Sequence, residues 1–318
     1  MKGRYSVVVQ NNRLHYDFEI KRNITIIQGN SATGKTTLVD MLRQHMNLGA
    51  SSGVDVICDV PCRVLEGIDW KVILGNLHGM ILFIDEGNDF VTREEFASAI
   101  KGSDNYFVII TRENLYNLPY SVEEIYGLHS SGKYQNTQKI YQETYKIYSD
   151  VKEVPIKPKK FIIEDSNSGF EFFKNICDTV ELECISAGGK SNIFSVAKAV
   201  LREGLCIVAD GAAIGPEMNS LYKLAKNNNV SLYLPESFEW VLLQAGIVNS
   251  SLVRQALQEP EEYIDSREFF SWEQFFTKLL IQATEGTYLK YNKKKLNPVY
   301  LHEKNKQRIL TVIHGIKF

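Results

Sequence analysis

The residues Gly29–Thr36, GNSATGKT, constrain this chain more than any others. They fill every fixed position of the spacing G-x-x-x-x-G-K-[S/T]. They lie between a short apolar run, Ile24–Gln28, and a segment, Thr37–Met46, in which Leu38, Met41, Leu42 and His45 recur at helical spacing. Strand, glycine-bearing loop and helix in that order make a cradle for phosphate. Gly29 and Gly34 let the backbone curl until its N–H groups point inward, and the helix start adds its positive dipole end. Lys35 would place a point charge between two phosphates, and Thr36 would offer its hydroxyl to Mg²⁺. The nucleotide-binding set read from the motif is Gly29, Asn30, Ser31, Ala32, Thr33, Gly34, Lys35, Thr36 and Thr37.

A partner motif follows. Residues 80–84, MILFI, form a continuous apolar run that ends in Asp85-Glu86, the pattern of a parallel strand covered on both faces. Beside the loop, Asp85 would hold the Mg²⁺ shell and Glu86 would polarise an attacking water as a catalytic residue. Alone, the pair also reads as acids in a strand-exit turn. Another buried run, NYFVIITRE, ends at Thr111-Arg112, where Arg112 is a candidate to sense the terminal phosphate; a solvated strand end reads equally well there. No Asn/Thr-Lys-x-Asp guanine motif is present, so ATP is expected rather than GTP.

The rest of the chain divides by rhythm. Tyr5–Val9 and Leu14–Ile20 alternate around Asn11-Asn12 and predict a hairpin. Residues 49–61 predict a weak strand, and Thr92 with Glu95 predicts a capping box for a helix ending at Ile100. Residues 123–147, rich in tyrosine, predict a hairpin around Ser130–Lys133. Residues 151–160, with two prolines among charges, read as a linker between a domain at 1–150 and one at 161–245. In the latter, FIIE (161–164), VELECIS (180–186), LCIVAD (205–210) and VSLYLP (230–235) predict strands alternating with helices, hence a parallel α/β sheet. Residues 246–318 read as a helical C-terminal region. The fold class expected is α/β: two parallel-sheet domains with a helical tail.

The hairpin ahead of the loop strand, with Asp85-Glu86, resembles the ABC-type ATPases. Only about 50 residues separate the two motifs, however, and no LSGGQ-type signature or helical arm is present. A head-to-tail ATP sandwich built on that signature is therefore not expected.

The second half places acids at strand ends, where ligands sit in an open parallel sheet. These are Glu164-Asp165, Asp210, and Glu236 with Glu239. Over about residues 160–240 this resembles a Toprim domain, with Glu164, the aspartate of IVADGAAIG, and AGGKSNIF (187–194) similar to the GGK-type segment of OLD-like proteins. The order of a P-loop ATPase and then a Toprim-like domain resembles the OLD-family ATP-dependent nucleases of phage and plasmid conflict. The resemblance implies Glu164 as general acid/base and metal ligand, Asp210 as metal ligand, and Lys190 as a catalytic contact to the scissile phosphate. Toprim domains show Asp-x-Asp where this chain reads Asp210-Gly211-Ala212. Either one metal suffices, or Glu217, Glu236 or Glu239 completes the site, or the domain is inactive. Singly, Glu164-Asp165 also reads as a complement to a helix N-terminus, and Asp210-Gly211 as a strand-exit turn.

Composition narrows the classes. A formal charge of −2 gives no global case for nucleic-acid binding. The five cysteines make no CxxC pair, and the six histidines show no ligand spacing, so zinc is not expected. Reduced thiols, no apolar h-region in the first residues and no long apolar run point to a cytoplasmic protein without a membrane span. Lys293–Lys295 read as a solvated helix face or a nucleic-acid contact. The cofactors expected are ATP and Mg²⁺, or Mn²⁺; the partners are nucleic acid, another protein or a second copy. The resulting function is an ATP-binding and hydrolysing protein acting as an ATP-regulated nuclease or nuclease-like effector in phage defence. The alternative is an ATP-binding regulator whose inactive Toprim-like domain binds a partner or ligand. A small-molecule kinase is a third reading, against which Asp85-Glu86 argues for water as nucleophile.

Overall fold

The computed structural model describes residues 1–29, 34–131, 139–149, 157–201, 204–228 and 230–318. Four loop residues (Asn30, Ser31, Ala32 and Thr33), the expected hairpin tip at Gly132-Lys133, and 151–156 of the expected linker lie outside the described residues. Two compact units form, Met1–Ile147 with Glu261–Ser271, and Tyr148–Pro260 with Trp272–Phe318. The C-terminal part thus belongs partly to each unit.

The first unit is built on a mixed sheet. In chain order its strands are β1 (Tyr5–Gln10), β2 (Leu14–Ile20), β3 (Ile24–Ile27), β4 (Asp55–Ile57), β5 (Cys62–Val64), β6 (Ile81–Ile84), β7 (Tyr106–Ile110), β8 (Ile125–Ser130) and β9 (Ile140–Lys146). Their order in space is β4-β1-β2-β9-β8-β3-β7-β6-β5. From β8 to β5 all neighbours are parallel, whereas β1 runs antiparallel to β2 and β4, and β8 antiparallel to β9. The sheet is therefore not wholly parallel: its two sequence-predicted hairpins add antiparallel strands beyond β8.

The helices of this unit are α1 (Lys35–Leu48), α2 (Trp70–Leu74) and α3 (Glu94–Ile100). Leu38, Val39, Met41 and Leu42 of α1 join one core with Val7, Phe18, Phe83, Val108 and Ile110. On the other side Phe107 packs edge-on against Phe96, which meets Trp70 and Phe90. Cover on both faces is why β3, β6 and β7 are buried at every residue and read as unbroken apolar runs. The expected capping box does not form. Thr92 closes a 3₁₀ turn, its hydroxyl donating to Asp89 O at 2.8 Å, and Arg93 is the residue before α3.

The second unit carries a four-stranded sheet in the order β11-β10-β12-β13, parallel throughout. Its strands are β10 (Lys160–Ile163), β11 (Glu183–Ser186), β12 (Leu205–Val208) and β13 (Ser231–Tyr233). Its helices are α4 (Ser168–Thr179), α5 (Lys190–Ala199), α6 (Met218–Asn228), α7 (Phe238–Gln244) and α8 (Ser251–Gln258), then, after α9 (Pro260–Tyr263), which falls in the first unit but for Pro260, α10 (Trp272–Thr284) and α11 (Glu303–Val312). Phe161, Phe172, Phe173 and Phe238 interlock under the sheet, and the Phe318 ring stacks on Phe161 at 5.3 Å. Lys293–Lys295 do not lie on a helix. They occupy a turn between α10 and the 3₁₀ segment Pro298–Leu301, with Lys294 and Lys295 exposed.

Candidate functional site

Two groups of the sequence-predicted residues come together, one in each unit. In the first, Gly29 follows β3 at φ 136° and Gly34 precedes α1 at φ 88°, both in the region that favours glycine. Lys35 opens α1 and is 5% exposed, with its Nζ donating to Gly29 O at 2.9 Å. The lysine thus bridges the two ends of the loop. Burial lowers its pKa and Arg112 lowers it further, while Glu86 and Asp85 act in the opposite sense. A desolvated ammonium next to curled backbone is a site that gains from an anion.

The acids arrive from β6, and the strand between, β7, supplies Thr111 and Arg112. Thr111 N donates to Ile27 O at 3.2 Å, which ties the end of β7 to the end of β3. Arg112, next along, pairs through Nε with Glu86 Oε1 at 2.9 Å, and both side chains are exposed. Asp85 is more enclosed. Burial raises its pKa, opposed by the Glu86 N–H, which donates to Asp85 Oδ1 at 2.8 Å, and by Arg43. Asn88 Nδ2 donates to Asp85 O at 2.9 Å and fixes the turn. Thr36 and Thr37 sit exposed in the first turn of α1.

Tyr16 was not legible in the loop motif. Its hydroxyl donates to Gly34 O at 2.8 Å, and burial pushes its pKa up to about 12. A Cβ on Gly34 would stand 2.9 Å from that hydroxyl. Tyr16 therefore clamps the point where loop becomes helix. The only sequence signal was its place on the inward face of β2.

In the second unit Glu164 and Asp210 meet at the ends of the two central strands. Glu164 Oε2 accepts the Asp210 N–H at 2.8 Å, and Glu164 N donates to Val208 O at 2.9 Å. They line a cavity of about 20 Å³ with Asp165, Phe173 and Phe238, close to the volume of one water by the same kind of measure. Burial pushes Glu164 up to about 7, against the Asp210 N–H that stabilises its charged form. Asp210 is raised well above the ordinary carboxylate range by burial and then by Glu273, Glu164 and Glu239; Lys293 acts the other way. Asp165 is drawn aside, its Oδ1 accepting Phe170 N at 3.0 Å in the first turn of α4, the helix-start role its sequence position allowed.

The remaining candidates divide. Lys190 opens α5 after Gly189 at φ 129°, and its Nζ donates to Ala213 O at 3.2 Å. Glu217 faces Lys190, and burial raises its pKa. Ala212 is 2% exposed, its N–H held by Glu236 O at 3.2 Å. Gly211 lies against the Leu234 and Pro235 carbonyls, where a Cβ would collide with backbone. Glu239, 2% exposed, joins the Asp210 neighbourhood, where it accepts from Tyr291 Oη at 2.9 Å.

Three groups on the C-terminal segment were missed: Glu273, Tyr291 and Lys293. Read as part of a solvated lysine run, Lys293 instead turns inward. Its ammonium pairs with Glu273 and stands 4.0 Å from Glu239 Oε1. Burial pulls its pKa down, but Glu239, Glu273 and Asp210 together outweigh that and raise it. Among the described residues no three His, Cys, Asp or Glu side chains are grouped so as to hold a metal ion. Nor is any described helix long and apolar enough to cross a membrane. The chain matches no protein-family model, and no curated protein matches it in sequence.

Proposed function

We propose that this chain is a P-loop protein that binds and hydrolyses ATP, with a Toprim-like second unit acting as a regulator or effector governed by nucleotide state. The observation that carries the reading is Lys35. It is buried at the junction of two positive-φ glycines, with Arg112 at the end of the adjacent parallel strand β7 and Asp85 and Glu86 at the end of β6 beyond it. Thr36 and Asp85 would hold Mg²⁺ together with the phosphates. Mg²⁺ is commonly held by one or two carboxylates plus phosphate oxygens, and the partly desolvated Asp85 suits that role. The bound ion would neutralise charge building on the phosphates. Glu86 would orient water, and Arg112, once released from Glu86, would meet the terminal phosphate.

Equilibrium binding tests this reading. Lys35→Ala should lose most ATP affinity in the presence of Mg²⁺, and unchanged affinity would reject the assignment.

For the second unit, the inward-turned, ion-paired Lys293 and the buried Ala212 favour a regulator in the cytoplasm that binds a partner protein, a ligand or a second copy. The contact between Glu164 and Asp210 favours the other reading, a nuclease acting on DNA or RNA with Lys190 at the scissile phosphate. Cleavage of plasmid DNA or of RNA with Mg²⁺ or Mn²⁺, abolished by Glu164→Ala, would establish the nuclease. No cleavage with any metal, while ATP hydrolysis is intact, would establish the regulator.

A further inference from the structure

We propose that Lys293 is the resident cation of the acidic cluster at the ends of β10 and β12, its ammonium standing where a divalent metal would otherwise be required. The inference uses the geometry of the second unit alone, and it holds whichever way the nucleotide reading falls.

Glu164, Asp210, Glu239 and Glu273 act on one another through a poorly solvated space, as the charges felt by Asp210 record. Carboxylates gathered out of water need protons, a metal or a basic side chain. Lys293 is the basic side chain present. It pairs with Glu273, lies 4.0 Å from Glu239, and acts on Asp210 as the opposing charge. The other nearby ammonium, Lys190, donates to Ala213 O and acts on Glu217 and Glu164, so Asp210, Glu239 and Glu273 are the acids left to Lys293.

The placement of Lys293 is built into the backbone on both sides. Ser168 N donates to Lys293 O at 3.0 Å. Tyr291 Oη lies 2.5 Å from Ser168 Oγ and donates to Glu239. Leu296 N donates to Glu171 Oε2 at 2.6 Å. Residues 291–296 are thus stitched to the start of α4, directly after the strand-end acids Glu164-Asp165. An ammonium offers charge and N–H donors but no coordination sites for water or phosphate oxygen. While Lys293 stays, its ammonium offsets part of the cluster's negative charge, protons on the raised carboxyls offset more, and the space beside Glu239 and Glu273 is closed to metal.

The test uses the full chain without nucleotide, Mn²⁺ as probe, and both electron paramagnetic resonance and thermal unfolding. Asp85→Asn controls for uptake at the first unit. Asp210→Asn is expected to leave the Mn²⁺ binding of the wild type unchanged. Lys293→Met is expected to lower Tm and to gain Mn²⁺ affinity by about tenfold or more, with Mn²⁺ restoring the lost Tm by mass action. Adding Asp210→Asn should remove that gain, and Lys293→Arg should bind Mn²⁺ no better than the wild type. The proposal is overturned if Asp210→Asn abolishes Mn²⁺ binding by the wild type, or if folded Lys293→Met gains no affinity. Should Lys293→Met fail to fold even with Mn²⁺, the Asp210→Asn comparison in the wild type decides alone.

Discussion

At the end of β3 a lysine is buried beside glycines, and its acidic neighbours lie together at the end of β6, one of them already paired with Arg112. At the ends of β10 and β12 the acids are half-buried and a lysine arrives from far along the chain. Both sites occupy the carboxyl ends of parallel strands, where the fold leaves room for ligands. They differ in what burial leaves unmet. The first has a desolvated cation between two positive-φ glycines, so it would gain by taking up an anion. The second has desolvated anions that already hold a cation, so it gains little from a metal. The sheet edge sets where a site can be; the sign of the buried charge sets what it can take.

The largest effect should come from breaking the first half of this contrast. Lys35→Ala would remove the proposed charge-assisted contact to phosphate and should weaken ATP binding by about 3 kcal/mol, roughly a hundredfold, measurable by titration calorimetry. Next is the pH dependence of the second site. The folded-state pKa of Glu164 lies above its ordinary value, so the carboxyl favours folding while protonated. Its contribution is complete below about pH 4.5 and is lost as pH rises through about 7. Unfolding free energy should therefore fall by about 2 kcal/mol over that window, and Glu164→Gln should flatten the fall.

Gly34→Ala comes third. Its φ of 88° and the nearby Tyr16 hydroxyl should cost about 1–2 kcal/mol of stability in chemical denaturation. Tyr16→Phe loses the bond to Gly34 O and should cost about 1 kcal/mol. Arg112→Ala should change stability by less than about 0.5 kcal/mol, since its pair with Glu86 is exposed. If Arg112 reaches the terminal phosphate, ATP turnover should fall at unchanged ATP affinity; equal turnover would remove it from the site.

What the sequence made legible was local. Strands β3, β6 and β7 could be read because two-sided burial writes unbroken apolar runs, ending just before Gly29, Asp85 and Thr111. The first hairpin could be read because β2 alternates between core and solvent. The alternating rhythm of residues 160–235 yielded the second sheet and its two central acids. What was hidden depended on distance in sequence. Tyr16 reaches Gly34 across a hairpin, and Lys293 and Glu273 reach Asp210 only after the chain has passed through the first unit and returned. A lysine in the run KKK gives no sign of which member turns inward, because that follows from the bonds of Tyr291 and Leu296 to α4. The Thr92 cap failed for a smaller reason: a 3₁₀ turn claimed its hydroxyl before the helix began.

Uptake of Mn²⁺ by the wild-type chain, measured with and without ATP, tests the contrast most directly. The account predicts uptake only when ATP is present, lost in Lys35→Ala and indifferent to Asp210→Asn. Tight uptake without ATP that Asp210→Asn removes, or uptake with ATP that Lys35→Ala leaves intact, would contradict it.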